Sequence, residues 1–225
     1  MTRVHYIVLA GIALLGIGYL FMHRQELGLT GPHTIGVNNS RDSNQPTDTA
    51  ARPANIVWQK VDRSADGFRV EMPIEVKQIR IPAYNESGGT DQVDMIFSKP
   101  DAETTFSVAW ADNPPVARVN NRAPDRTLEM AQDGAVARTQ TTLSNEAASN
   151  TQGFPGKEFA AQNAGGGVMS SRLIYVGSRL YMLNAAFPSA EARQDRDVTR
   201  FFNSFTVTSS SGSGTGGSTG HAKTN

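Results

Sequence analysis

The residue types that could carry chemistry are few in this sequence and unevenly placed. It has no cysteine, and its four histidines, His5, His23, His33 and His221, lie towards the two ends. The stretch from residue 55 to 208 therefore lacks the side chains of Ser-His-Asp and Cys-His mechanisms and of His- or Cys-ligated metal sites. General acid–base chemistry would have to use carboxylates, tyrosines or lysines. The lysines of this stretch are Lys60, Lys77, Lys99 and Lys157.

The carboxylates show no arrangement typical of catalysis or metal binding. Asp91 and Asp94 are three positions apart in a predicted strand, so their side chains should point to opposite faces. Asp195 and Asp197 lie among arginines, a pattern typical of a solvated helix face with weak ion pairs. No calcium-binding loop motif occurs. We therefore predict no catalytic residue, no metal and no cofactor. The arginines concerned are Arg193, Arg196 and Arg200.

Two glycine clusters resemble phosphate-binding loops by letter only. Gly212, Gly214 and Gly217 match G-x-G-x-x-G, but only Ser, Thr and Gly follow, and the motif works where a helix begins after a strand. The run from Gly165 to Gly167 is followed by a predicted strand and by no Lys-Ser or Lys-Thr pair. We interpret it as a hairpin turn.

The charge balance argues against a nucleic-acid partner. The whole chain has 21 basic and 21 acidic residues, and residues 55–208 keep 16 and 18 of them. A nucleic-acid-binding domain usually carries a strong basic excess. We expect no nucleic acid among the partners.

The N-terminal residues are typical of a membrane anchor. An uncharged apolar run extends from Tyr6 to Met22 after a short basic start. Seventeen helical residues span roughly 26 Å, close to the thickness of a bilayer core. The run ends in bulky and basic residues with no small-residue cleavage site, which favours an uncleaved signal anchor over a cleaved signal peptide. The predicted location is a bacterial inner membrane, single-pass, with the domain in the periplasm or another extracytoplasmic space.

Composition divides the chain into four segments. Residues 1–22 form the predicted anchor, and residues 23–54 and 209–225 are rich in Gly, Ser, Thr, Asn or Pro. Such stretches bury too little apolar surface to fold, so we predict a disordered linker and a disordered tail. Residues 55–208 are long enough for one globular domain.

Alternation with period two predicts most of that domain as strands. Phe68, Val70 and Met72 share one side of a strand that Pro73 ends. A polar loop is predicted after residue 145, through "GFPG". Trp58 and Trp110 are expected in the core. The predicted strands cover residues 68–73, 76–81, 91–99, 104–112, 139–145 and three segments of 158–188, the last two joined at Gly177-Ser178.

Two segments change to helical period. Asp125 is the predicted N-cap of the first helix, in which Leu128, Ala131 and Ala135 recur at helical spacing. Ser189 is the predicted cap of the second, whose apolar stripe should pack on the sheet before the chain turns into a closing strand. The stripe consists of Val198, Phe201, Phe202 and Phe205.

The domain resembles the PsbP-like family, which includes bacterial envelope members such as DcrB. The resemblance rests on "DGFRVEMP", "GFPGKEF", "GSRLYMLNAAFP" and "DVTRFFNSFTV", and covers about residues 58–208. It implies an α+β fold, an antiparallel β-sheet flanked by helices in an α/β/α sandwich, and members that mostly bind or assist partners. It implies no shared catalytic residues. The uncleaved anchor and the absence of a lipidated cysteine depart from the family and put a photosystem role in doubt.

Two functions remain open at this point. The first is a membrane-anchored envelope protein whose exported domain acts as a binding or assembly module for a protein partner, and is not an enzyme. The second is a carboxylate-dependent enzyme or small-ligand carrier with a pocket between the sheet and its helices. A deep pocket with converging acids would favour the second.

Overall fold

The structure is a computed structural model, and it describes residues 56–84, 90–114, 117 and 123–208. The predicted anchor, linker and tail, at 1–22, 23–54 and 209–225, lie outside these residues, as does the predicted loop over 85–89. In the part that is described, neither helix has the length and apolar character needed to cross a bilayer.

The described residues contain ten strands, two helices and one 3-10 turn. The 3-10 turn, Ser64–Asp66, joins the first two strands. The strands are β1 (Trp58–Arg63), β2 (Phe68–Pro73), β3 (Lys77–Tyr84), β4 (Thr90–Ser98), β5 (Thr105–Asp112), β6 (Thr141–Thr151), β7 (Phe154–Asn163), β8 (Val168–Val176), β9 (Arg179–Phe187) and β10 (Thr206–Val207). The helices are α1 (Pro124–Thr139) and α2 (Asp195–Ser204).

The strands form two antiparallel sheets. The large sheet has seven strands in the order β3-β4-β5-β9-β8-β7-β6, and the small sheet has the order β1-β2-β10. All paired strands run antiparallel. The fold is therefore α+β, as predicted from the sequence.

Each face of the large sheet has its own apolar cover. Successive side chains of a strand point to opposite faces, so neighbours such as Met182 and Leu183 of β9 enter different clusters. Met182 packs with Leu128 and Ala131 of α1, whereas Leu183 packs with Phe68 of β2 and with α2. The small sheet and α2 thus cover one face, and α1 covers part of the other.

The predicted single sheet between helices is therefore corrected to two sheets. The alternation of Phe68, Val70 and Met72 correctly predicted a strand with one buried side. It did not contain the information that this strand pairs with β1 and β10 and lies across the large sheet. Alternation specifies which side of a strand is buried, but it does not specify the neighbouring strand.

Three local predictions were wrong. The N-cap of α1 is Ala123 and not Asp125, because Pro124 takes the first helical position, where its missing N–H costs nothing. The predicted polar loop after residue 145 is strand, since β6 extends to Thr151 with almost all its side chains in solvent and hence without apolar alternation. Ser189 caps only a turn, accepting a hydrogen bond from the Ala192 N–H at 3.3 Å, and α2 begins later, at Asp195.

Candidate functional site

The candidates singled out by sequence lie apart from one another. Lys60 and Lys77 are exposed, Lys157 pairs with Glu146 at 2.9 Å, and Asp94 pairs with Arg80 at 2.9 Å. In the described parts of the chain, no three His, Cys, Asp or Glu side chains are placed to hold a metal ion.

The acidic start of α2 is less solvated than predicted. Asp195 is exposed and pairs with Arg193 at 3.1 Å, but Asp197 is buried, with 8% of its surface exposed. Trp110 belongs to the core as predicted, and Trp58 is half-buried against it.

The structure contains a polar groove of about 240 Å3 between α2 and the strands β6, β7 and β8. We call it the α2 groove. Small residues of the three strands form part of its lining, among them Ala147, Ala160 and Ser170. The polar side chains lining it are Asn145, Glu158, Ser170, Arg172, Arg193, Thr199 and Asn203, whereas the hydroxyl of Ser171 is hydrogen-bonded to Asn184.

The groove exists because one face of the sheet changes character at β8. On that face, the middle positions of β5 and β9 carry apolar side chains such as Val108 and Leu183, which pack under β2 and α2. The facing positions of β8 and β7 carry Arg172 and Glu158 instead. Polar side chains cannot join the apolar core without a cost, so the cover ends there and the sheet beyond it is open.

Arg172 fixes the edge of α2 against the sheet. Its guanidinium is 2.8 Å from Glu158 Oε1, and its Nη1 donates a hydrogen bond of 2.8 Å to the Phe202 carbonyl oxygen. The same guanidinium lies 5.0 Å from the centre of the Phe202 ring, within the range of a cation–π contact. The Phe202 carbonyl lies in the last turn of the helix, where it accepts the Phe205 N–H at 3.4 Å, so Arg172 adds a second and shorter hydrogen bond to it.

Ser170 leaves a polar atom of the groove without a protein partner. Its residue is 5% exposed, and its hydroxyl makes no hydrogen bond in the structure. A buried hydroxyl with no partner costs about 1–3 kcal/mol. A ligand group that reached the Ser170 hydroxyl and bonded it would recover that cost.

The groove carries almost no net charge. Both arginines in it are paired, Arg172 with Glu158 and Arg193 with Asp195. Asn145 and Asn203 each add a side-chain amide, which has both N–H donors and an acceptor oxygen. The groove therefore combines paired charges with neutral donors and acceptors. It suits a ligand that itself alternates donors and acceptors, as a polypeptide backbone does.

The sequence hypothesis of a pocket between the sheet and its helices named no lining residues, although a signal for some of them was present. Val168, Ser170, Arg172 and Ile174 occupy alternate positions of β8 on the side towards α2. The first and last of these residues are apolar and the two between them are polar. This pattern indicates a strand whose ends pack in the apolar core and whose middle does not. The contribution of α2 could not be inferred from the sequence. Thr199 and Asn203 are distant from β6, β7 and β8 along the chain and come close to them only in the folded domain.

No protein-family model matches the chain, and no curated protein matches it either. Among solved structures, it is similar to cyanobacterial PsbP (CyanoP) from Synechocystis sp. PCC 6803, with 14% identity over 72% of this chain and 99% of that one, at a TM-score of 0.42. It is also similar to LpqN of Mycobacterium tuberculosis, described as involved in cell envelope biogenesis, with 13% identity over 74% and 99% of the two chains and a TM-score of 0.32.

A third similar structure is a Pseudomonas aeruginosa protein of unknown function described as a putative regulator. It shares 14% identity over 60% of this chain and 85% of that one, at a TM-score of 0.32. Membership of the PsbP-like family remains a prediction from the sequence motifs.

Proposed function

We propose that this chain is a membrane-anchored bacterial envelope protein whose exported domain binds an extended segment of a partner protein in the α2 groove. The observation that carries the proposal is the groove itself, with its paired charges, its amides and the Ser170 hydroxyl that lacks a partner. A peptide main chain offers N–H and C=O groups every few ångströms and so complements such a surface.

The location in the envelope is supported by the sequence of the first 54 residues. An apolar run of membrane-spanning length followed by a polar linker of about 32 residues would hold the domain within roughly 30 Å of the bilayer. The absence of lipidated cysteine means that the proposed attachment is the helix alone.

We propose a binding role and no enzymatic one. Among the residues that the structure describes, Glu158 is the single carboxylate lining the groove, and it pairs with Arg172 at 2.8 Å. Hydrolysis by carboxylates uses two of them facing a common substrate. A small-ligand carrier is the second candidate, favoured by the position of the groove between the sheet and α2.

Site-directed photo-cross-linking in the native host tests the binding role. A photoreactive residue at Thr199, which is exposed and lines the groove, should give a discrete adduct with another protein. Ser170→Arg in the same chain should abolish the adduct, because the larger side chain would fill the groove. The matched control is a photoreactive residue at Asp133, an exposed position of α1 on the opposite side of the sheet.

Equal adducts from the Thr199 and Asp133 positions would contradict the proposal. A non-covalent small molecule seen by native mass spectrometry, without any protein adduct, would instead favour the carrier. A reporter active only outside the cytoplasm, fused after Asn225, tests the location separately, and a signal from inside the cell would refute the proposed orientation.

A further inference from the structure

The two edges of the large sheet differ in how well they are protected against pairing. β3 forms one edge and β6 the other. The β3 sequence contains Lys77, Arg80 and Pro82, residue types that keep a further strand from adding to an edge. β6 has eleven residues with one charge, Glu146, and no Lys, Arg or Pro. Its long edge has none of these protecting residues.

The geometry of β6 leaves a regular segment open to a partner strand. A bulge between Leu143 and Asn145 separates the first residues from the rest. From Asn145 to Thr151 every residue pairs in register with β7, and no described strand pairs on the outer side. An edge strand turns main-chain N–H and C=O groups towards solvent at alternate residues, and these are the groups that an added strand binds.

The single charge of β6 is directed away from any added strand. Glu146 pairs with Lys157 at 2.9 Å and accepts a hydrogen bond from Gln132 of α1 at 2.8 Å. Both contacts lower the pKa of the Glu146 carboxyl, so it stays ionised and paired at neutral pH. The charge is thus already compensated within the chain.

We infer that β6 pairs antiparallel with β6 of a second copy of this chain, about a two-fold axis at Ala147. This inference goes beyond the proposed function and does not depend on it. A two-fold interface requires a surface that is complementary to itself. With Ala147 facing its own counterpart, Asn145 faces Ser149 of the second copy, and Glu146 faces Ala148 of the second copy.

This register places no like charges directly opposite each other. The three cross-strand combinations are Ala with Ala, Asn with Ser, and Glu with Ala, all of which include a small side chain. Small or polar pairs let two backbones reach ladder distance, whereas like charges directly opposite would oppose pairing. In this register the one carboxylate of the segment faces an alanine, so the segment is complementary to itself, which favours a second copy over an unrelated extended segment.

Pairing of this kind would also bring two binding sites together. In an antiparallel pair, facing residues point to the same side of the sheet, so both copies would turn the same face the same way. The two α2 grooves, each lined by Asn145 and Ala147 of β6, would lie next to each other on one face of a continuous sheet.

A charge-exchange experiment on the full-length chain in detergent tests the inference. Size-exclusion chromatography with light scattering should give the unchanged chain a mass equal to two copies. Ala147→Lys and Ala147→Glu should each weaken self-association by about tenfold when alone, because like charges then meet across the axis. An equimolar mixture of the two variants should restore the pair, since Lys then faces Glu.

The matched controls are Ala102→Lys and Ala102→Glu, at an exposed alanine in the turn between β4 and β5. In light scattering, both control variants should have the same mass as the unchanged chain. A single copy for the unchanged chain at every concentration would overturn the inference. So would Ala147 variants that remain paired, as they would if the association occurred elsewhere, or a mixture that fails to re-form the pair. Restoration in the mixture also shows that both variants are folded.

Discussion

Gly67 occupies a position that no other residue would fill without strain. Its backbone φ is +82°, and a Cβ built there would lie 2.6 Å from the hydroxyl oxygen of Tyr181. That hydroxyl donates a hydrogen bond of 2.9 Å to the Asp66 carbonyl, and burial raises the pKa of Tyr181. The turn after β1 is therefore attached to β9 through the Asp66 carbonyl, and Gly67 leaves room for the tyrosine.

The change Gly67→Ala should destabilise the domain more than the same change in an open turn. We expect the free energy of unfolding to fall by about 2–3 kcal/mol, from the positive φ and from the displaced tyrosine. Gly153→Ala is the control, because Gly153 has φ +89° but no atom within 4 Å of the added Cβ. It should cost about 1–2 kcal/mol. Urea denaturation measures both, and equal losses would show that the contact with Tyr181 is unimportant.

At this scale the sequence predicts local conformation but not distant contacts. An Asp-Gly pair is typical of a turn, and Gly67 of the pair Asp66-Gly67 is left-handed in the structure. Nothing in the sequence predicts the partner, because Tyr181 is 115 residues from Asp66. A turn depends on neighbouring residues, whereas this hydrogen bond depends on the completed fold.

The contact of α2 with β8 is the element-scale feature on which the groove depends. Arg172 contacts a main-chain carbonyl and a ring face of the helix while it pairs with the Glu158 carboxylate of β7. A lysine would keep the charge but would lose the planar geometry that allows these three contacts together.

Arg172→Lys should lower the free energy of unfolding by about 1–3 kcal/mol and should also weaken the cross-link from Thr199, since the wall of the groove would move. Arg126→Lys is the control, because Arg126 forms an exposed pair with Glu129 on α1. Pairs of that kind contribute only a few tenths of a kcal/mol. Chemical denaturation distinguishes the two, and losses of equal size would contradict a special role for Arg172.

Element prediction succeeded where one side of the element is buried. β2, β5, β8 and β9 were all anticipated from their alternating or apolar patterns, and each is largely buried on one side or both. The same criterion failed for the part of β6 after residue 145, where almost all side chains are in solvent. The predicted second helix was also too long, because the polar residues before Asp195 have no buried face to hold them in a helix.

In the described part of the chain, one aromatic cluster joins the two sheets and α2. Phe68 of β2 stacks on Phe205, and Phe201 of α2 meets the ring of Phe106 in β5 with centroids 5.4 Å apart. Both sheets and the last helix therefore share one core. The aromatic stripe predicted near the end of the chain is confirmed as part of it.

Phe201→Ala should destabilise both sheets together. Phe201 is completely buried, so the cavity and the lost contacts should cost about 3–5 kcal/mol. Val57→Ala is the control, since Val57 is 60% exposed and should change little. Circular dichroism during thermal unfolding should show one transition at a lower temperature. Two separate transitions would mean that the small sheet does not depend on this cluster.

The strand β2 lies between the first and the last strands of the domain, and this order has a consequence for the timing of folding. The Glu71 N–H donates to the hydroxyl of Ser204, which is 133 residues later in the chain. At about 5–20 residues per second, a ribosome needs roughly 7–27 s to make the intervening segment. During that interval the apolar side of β2 has neither α2 nor β10 to cover it. The nascent chain therefore exposes this surface for longer than any local hairpin does, and a chaperone that binds apolar segments would find its target there.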